Sequence, residues 1–353
     1  MKKCYTYDDV NIVPKYSEVK HRDKINIRTR FTKNIDIAFP IVSSPMDTIT
    51  ELDMAREMME WGGVGIVHRF MSIEKQSQMM KSVWRVWNSY FKPIPGITDD
   101  TERTLETEWQ EWWDSSVRHW NSPPTKSDWD DLKERFYFAD DMIRDDKSWS
   151  KLPLCAAVGV NGDYLERARE LAWNGCNVLL IDVAHGHHKN VGEAIEEIKK
   201  DISGIEVIAG NVATSEATRY LCEREADGIR VGIGNGSLCE TRIRTGIGVP
   251  QVSALLDCVN SADEFDVPII ADGGIRNIGD VCKGLACGAD SVMLGSLLSG
   301  TKESPGEIEK VGQWPNEKLF KKYRGSASRD SKGSDKNVEG NHKVIPYKGK
   351  TKR

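Results

Sequence analysis

One stretch of this sequence puts a thiol at the end of a glycine-rich loop: Gly232-Ile233-Gly234-Asn235-Gly236-Ser237-Leu238-Cys239-Glu240-Thr241-Arg242. Alternating glycines let a backbone curl tightly and turn its amides or carbonyls toward one point. A cysteine closing such a loop is partly exposed and surrounded by N–H dipoles. Arg242 and Arg244 follow it, and these are the conditions that stabilise a thiolate and make it a nucleophile. On the bare pattern, a nucleophile and an inert thiol are equally open. The loop is not a dinucleotide fingerprint, because the GxGxxG spacing is not met and no acidic residue is placed to receive a ribose. Two later glycine clusters, Asp272-Gly273-Gly274 and Gly295-Ser296, fit a phosphate site built from backbone N–H groups, against the competing reading of plain turns. Three further apolar runs close on polar residues: Ser43-Ser44-Pro45-Met46-Asp47-Thr48, Asp182-Val183-Ala184-His185-Gly186-His187 and Gly210-Asn211-Val212-Ala213-Thr214.

Strands must carry these clusters. Short apolar runs recur at 40–47, 63–68, 155–160, 178–184, 206–213, 228–234, 268–274 and 291–297. Most lack apolar/polar alternation, as expected of parallel strands buried on both faces. Segments of helical period lie between them at 51–61, 162–173, 190–200, 215–224, 253–265 and 277–287. Alternating strand and helix point to an α/β fold, a (β/α)8 TIM barrel with working residues at the carboxyl ends of its strands; a doubly wound open sheet is the alternative. The rhythm breaks between the second and third runs. Residues 83–150 hold eight of the eleven tryptophans with Pro93, Pro95, Pro123 and Pro124, which suggests a small, mostly helical Trp-rich insert between strands 2 and 3. The reading therefore divides the chain into barrel (1–82), insert (83–150), remaining barrel (151–325) and a mobile flap with a C-terminal tail (326–353).

Composition narrows the function. A net charge of -5 and a pI near 5.9 offer no field for nucleic acid and no polybasic patch for a membrane, and the basic end from Lys348 to Arg353 reads as a solvated tail. No apolar leader and no run of eighteen apolar residues occurs, so a cytoplasmic protein is expected. Eight cysteines without CxxC spacing are expected to be reduced; most sit in apolar or helical stretches and read as small buried hydrophobes, with Cys239 the exception.

Taken together, the motifs resemble the inosine monophosphate dehydrogenase / guanosine monophosphate reductase family. The likeness is carried by Tyr7-Asp8-Asp9-Val10, residues 40–48, 182–187 and 209–214, the Gly-Ser-x-Cys-x-Thr-Arg loop, Ala271-Asp272-Gly273-Gly274-Ile275, residues 293–298, Tyr323-Arg324-Gly325 and Pro346-Tyr347-Lys348-Gly349. The resemblance implies that the Cys239 thiolate adds to C2 of a purine monophosphate and forms a thioimidate as hydride passes to a nicotinamide. It implies that Ser237, Asp272, Gly274, Gly295, Ser296 and Tyr323 hold the substrate's ribose and phosphate, with Ser44 and Met46 lining the base. Asp182 would meet the nicotinamide riboside, framed by Asn211 and Arg230, and Thr241 with Glu339 would relay a proton. In this family the carbonyls of Gly234, Gly236 and Cys239 contribute to a potassium site. The chain stops soon after Pro346-Tyr347, without the segment that completes that site from a neighbouring subunit, which argues against potassium dependence. The insert does not resemble the family's regulatory CBS repeats. Family likeness also implies a homotetramer.

Within the resemblance, Asp182 to His187, Gly248-Val249-Pro250-Gln251 and Tyr16-Ser17-Glu18-Val19 follow the dehydrogenase, which takes IMP and NAD to XMP. The flap leans toward the reductase, which takes GMP and NADPH to IMP: only about ten residues separate Ser328 from Glu339, with no Arg-Tyr pair to activate water. The dehydrogenase is the favoured reading because a carboxylate such as Glu339 beside Thr241 still supplies a base. A purine-nucleotide-binding protein that has lost turnover and a flavin-dependent barrel oxidoreductase are the readings from other classes.

Overall fold

The computed structural model describes residues 3–21, 25–91, 153–236, 241–312, 316–324 and 342–351. Side chains of 86–91, Thr241 and His342 are not among them. The chain divides into two compact units, Met1–Trp84 with Ser148–Arg353, and Arg85–Lys147. The second lies outside the described residues except for the end of one helix, and so does most of the Trp-rich insert.

The first unit is a closed barrel of eight parallel strands. A short hairpin of β1 (Thr29–Arg30) and β2 (Asp36–Ile37) precedes it. The barrel strands are β3 (Ile41–Ser43), β4 (Val64–Val67), β5 (Cys155–Val158), β6 (Val178–Asp182), β7 (Glu206–Val212), β8 (Gly228–Val231), β9 (Ile269–Asp272) and β10 (Ser291–Leu294), and β10 pairs with β3 to close the ring. Each coincides with one of the eight apolar runs. The helices are α1 (Leu52–Glu60), α2 (Ile73–Phe91), α3 (Tyr164–Trp173), α4 (Lys189–Asp201), α5 (Ser215–Cys222), a short α6 (Thr241–Thr245), α7 (Gln251–Asp263) and α8 (Ile278–Ala286).

Helix faces follow from spacing. In α4, Val191, Ala194, Ile195 and Ile198 are buried at i, i+3, i+4 and i+7, and such a stripe can only be satisfied against the sheet. Each fully buried aliphatic of this size contributes roughly 1.5–3 kcal/mol. Local chemistry sets the starts: the Thr214 hydroxyl accepts from Ala217 N, and the Asn277 side-chain oxygen from Asp280 N.

The β1–β2 hairpin decides which end of the barrel is free. Phe31, Ile35 and Ile37 pack with Val42, Val64, Ile66, Val178, Leu180, Ile208, Ile270 and Met293 in one buried cluster. The hairpin is tied to residues at the amino ends of strands: Lys33 N donates to Asp227 O at 2.9 Å, Asn34 Nδ2 to Glu206 Oε1 at 2.7 Å, and Arg30 Nη1 to Asp266 at 2.5 Å. With the amino end plugged, the carboxyl ends remain for a site.

Beyond the barrel, β11 (Glu309–Val311), β12 (Lys318–Arg324) and β13 (His342–Pro346) form an antiparallel sheet. Within the segment 326–353 read as flap and tail, His342–Pro346 is a strand paired along β12, and residues 326–341 lie outside the described residues. At the basic end, the described residues are exposed at Lys348 and Lys350 yet tied to the barrel unit by hydrogen bonds. Lys348 Nζ donates to Ser296 O at 2.9 Å and Leu297 O at 3.0 Å, and the Thr351 hydroxyl to Glu303 Oε2 at 2.6 Å. Backbone carbonyls recruit a lysine that composition alone assigned to water. Burial lowers the pKa of Lys348 from its ordinary value.

Candidate functional site

Four adjacent strands, β6 to β9, end in one bonded cluster. Asp182 and Asp272 are the last residues of β6 and β9, and Asn211 and Arg230 lie near the ends of β7 and β8. Arg230 Nη1 donates to Asp182 Oδ1 at 2.6 Å, while Arg230 Nε and Nη2 both reach Asp272 Oδ2 at 3.0 Å. Asn211 Nδ2 donates to the same Asp272 oxygen and to Gly232 O, each at 2.7 Å. The side chains of Arg230, Asp182 and Asp272 are 8%, 13% and 18% exposed, so these charges interact at reduced dielectric. Burial works against the Arg230 charge, yet Asp272 and Asp182 outweigh it and raise its pKa. The buried Asn211 Oδ1 has no hydrogen-bond partner, an acceptor open to a ligand N–H such as that of a carboxamide. A nicotinamide cofactor fits this donor and acceptor set.

A second group gathers at the ends of β3 and β10. A side chain at Gly295 would stand 3.2 Å from the Tyr323 hydroxyl, 3.6 Å from Met46 Sδ and 3.9 Å from Ser44 Cβ, so the missing Cβ leaves a small hollow among three residues singled out from sequence. Ser44 N donates to Leu294 O at 3.0 Å, and Ser44, Met46 and Tyr323 are all buried. Ser296 borders the hollow, its carbonyl accepting from Ser299 and Lys348. Tyr323 arrives on β12, held by Arg324, whose Nε donates to Asp47 Oδ2 at 2.7 Å.

The glycine loop lies against the end of β9. Gly273 and Gly274 adopt φ of +91° and +80°, which a side chain would strain, and a Cβ at Gly273 would stand 3.2 Å from Gly236 N. Asn235 Nδ2 ties the loop to Val249 O at 2.8 Å and Gln251 Oε1 at 2.6 Å, and Gln251 Nε2 returns to Val231 O at 2.8 Å. Ser237, Cys239 and Glu339 lie outside the described residues, and Thr241 is described only as the first residue of α6. Gly234 and Gly236, whose carbonyls the resemblance links to a potassium site, are on the described loop while Cys239 is not. No cluster of three or more His, Cys, Asp or Glu placed to hold a metal occurs among the described residues.

Residues 4–351 match the family model described as "IMP dehydrogenase / GMP reductase domain". The chain belongs to the IMP dehydrogenase / GMP reductase family. Among its relatives, inosine-5'-monophosphate dehydrogenase of Cryptosporidium parvum is 41% identical over 326 residues, covering 92% of this chain and 74% of the relative. The protein of the same name from Borreliella burgdorferi is 38% identical over 366 residues (99% and 86%), and that of Nitrosopumilus maritimus 35% identical over 424 residues (99% and 88%). The matched residues include all eight strands of the closed barrel, whose carboxyl end the β1–β2 hairpin leaves open.

Several residues at that end of the IMP dehydrogenase / GMP reductase barrel escaped the sequence reading. His68, Arg69 and Glu51 surround the end of β4, where His68 Nε2 lies 3.3 Å from Glu51 Oε1 and His68 Nδ1 accepts from Phe70 N at 3.1 Å. The His68 hydrogen bond, assisted by Lys75, holds the Glu51 carboxyl below its ordinary range. Their signal was available, since the second apolar run ends in His68-Arg69-Phe70. Asp47 and Arg324 sat inside quoted motifs, but a pair 277 positions apart has no mark in sequence. No helix among the described residues is long and apolar enough to cross a membrane.

Proposed function

We propose that this chain is an IMP dehydrogenase, oxidising inosine monophosphate at C2 to xanthosine monophosphate with NAD. The observation that carries the reading is the bonded Asp182–Arg230–Asp272–Asn211 cluster, at the open end of a barrel of this family and next to the loop that leads to Cys239. In this reading Asp272, Gly274, Gly295, Ser296, Ser237 and Tyr323 hold the ribose and phosphate of the substrate, and Ser44 and Met46 line its base. Asp182, Asn211 and Arg230 hold the nicotinamide riboside. When bound, the nicotinamide supplies the hydride acceptor.

Cys239 adds as a thiolate to C2, forming an S–C bond, and loss of hydride from C2 leaves a thioimidate on the sulfur. Thr241, with Glu339 as proton acceptor, deprotonates a water that attacks the same carbon. The S–C bond then breaks and the thiolate is restored. The balance is IMP, NAD and water to XMP, NADH and a proton.

The test mixes purified protein with each nucleotide and cofactor pair and follows nicotinamide absorbance. IMP with NAD is expected to generate NADH, and Cys239→Ala to abolish turnover while IMP still binds. Turnover only with GMP and NADPH would reassign the chain to the reductase, and silence with every pair would leave a nucleotide-binding protein. The same assay in potassium and in choline chloride measures whether turnover depends on potassium. A homotetramer, checked by analytical ultracentrifugation, and a cytoplasmic location, checked by cell fractionation, complete the proposal.

A further inference from the structure

The end of β4 presents an arginine, Arg69, that no carboxylate among the described residues pairs with; its guanidinium lies over the Phe70 ring, 5.3 Å from the centroid, and a ring face leaves the in-plane N–H donors free. Arg69 sits in a turn clamped from two sides: His68 Nδ1 accepts from Phe70 N at 3.1 Å, and Arg167 Nη1 donates to Met71 O at 3.1 Å. Arg167 is itself fixed by Gln76 Oε1 and Asp163 Oδ2, both at 2.8 Å. The turn backbone is therefore set independently of the Arg69 side chain. That side chain reaches toward β5 and β6. Its Nη2 donates to Asp182 O at 3.4 Å, and its Nη1 lies 3.6 Å from where a Cβ would stand on Gly159, which places the guanidinium beside the ends of both strands.

Arg69 differs from the neighbouring arginines in one respect. Arg167 pairs with Asp163, Arg230 with Asp182 and Asp272, and Arg324 with Asp47. Among the described residues no carboxylate lies within ion-pair distance of Arg69, and its buried Nε has no hydrogen-bond partner. A guanidinium is always charged and carries five donors in a planar fork matched to carboxylate and phosphate oxygens. A half-buried one that spends a single long bond on a carbonyl is a receptor for an anion.

Position selects the anion. The purine monophosphate is read onto the glycines of β9 and β10, whereas the Arg69 head lies beside Asp182, where the nicotinamide riboside is read. The phosphate attached to that riboside is the first link of the dinucleotide's diphosphate bridge. We propose that Arg69 binds that diphosphate, and this assignment rests on the nicotinamide reading of Asp182.

The test measures binding without turnover. The intact protein, Arg69→Gln and Arg69→Lys are titrated calorimetrically with ADP-ribose, which carries the diphosphate but no nicotinamide, and separately with IMP. Arg69→Gln is expected to weaken ADP-ribose about tenfold, or ~1.4 kcal/mol, and to leave IMP affinity within about twofold. Arg69→Lys keeps a point charge without the fork and should fall between. ADP-ribose affinity should drop with added salt in the wild type and less so in Arg69→Gln. Equal ADP-ribose affinity in wild type and Arg69→Gln would overturn the assignment. So would a matched loss of both ligands with a lowered melting temperature, which marks a structural role. A wild type that binds IMP but not ADP-ribose overturns it together with the nicotinamide reading, whereas NADH formation that Arg69→Gln leaves unchanged at limiting NAD overturns the Arg69 role alone.

Discussion

Replacing Arg230 with Met removes the one cation that bridges Asp182 at 2.6 Å and Asp272 at 3.0 Å. The volume is nearly kept, but two carboxylates, 13% and 18% exposed, remain at one end of the barrel with only Asn211 donating to Asp272. Deleting one partner of a buried ion pair costs about 3–5 kcal/mol, because the other charge stays desolvated. The lower end applies, since the Asn211 bond survives and the carboxyls can relax toward solvent, so the expected loss in unfolding free energy is about 3 kcal/mol at pH 7. Urea denaturation followed by circular dichroism measures the loss. Adding Asp182→Asn to Arg230→Met removes one of the stranded charges and should recover part of the loss. A single variant that loses under about 1 kcal/mol, or a double variant no better than the single, would refute the account of this cluster.

Three other outcomes are expected. In thiol labelling with iodoacetamide at pH 7, Cys239 should react fastest and be protected by IMP. Cys155, Cys176 and Cys258 should react only on unfolding, because burial pushes the last two up to about 12 and Cys155 well above its ordinary value; rapid labelling of any of these in the folded protein would contradict the burial pattern. Gly295→Ala places a methyl 3.2 Å from the Tyr323 hydroxyl and 3.6 Å from Met46 Sδ, and should weaken IMP binding about tenfold or more while lowering the melting temperature little, as calorimetric titration and a thermal scan would show. The Glu51 carboxyl, held below its ordinary 4.5 chiefly by His68, contributes stability that is present above that value and lost as pH falls through the lower folded-state value. The urea midpoints of wild type and Glu51→Gln should therefore differ at pH 7 and converge as pH falls through the lowered folded-state value, and a gap independent of pH would remove His68–Glu51 as its source.

Much of the barrel was legible because parallel strands sealed by helices are apolar throughout and end abruptly. Val178–Asp182 and Ser291–Leu294 need no partner to be recognised, and their polar ends mark the working face. The β11–β12–β13 sheet was not legible, for a particular reason. Lys321 occupies a buried position in β12, where its Nζ donates to Ser304 O at 2.6 Å and Lys302 O at 3.2 Å, so the alternation that announces a strand is hidden by a charge. Burial lowers the Lys321 pKa. The same effect hid the anchoring of Lys348.

The sequence by itself determined the alternating strand and helix pattern, the family, and the residue types gathered at the strand ends, since each depends on composition and spacing along one line. Only the tertiary structure decided which of those residues share a hydrogen bond. Arg230 meets Asp182 and Asp272 because three strands 42 or more positions apart end at one height in a closed ring, and Arg69 is left without a carboxylate among the described residues. Neither relation has a local signal, because a contact between distant residues is set by how the strands register and not by the residues that flank them.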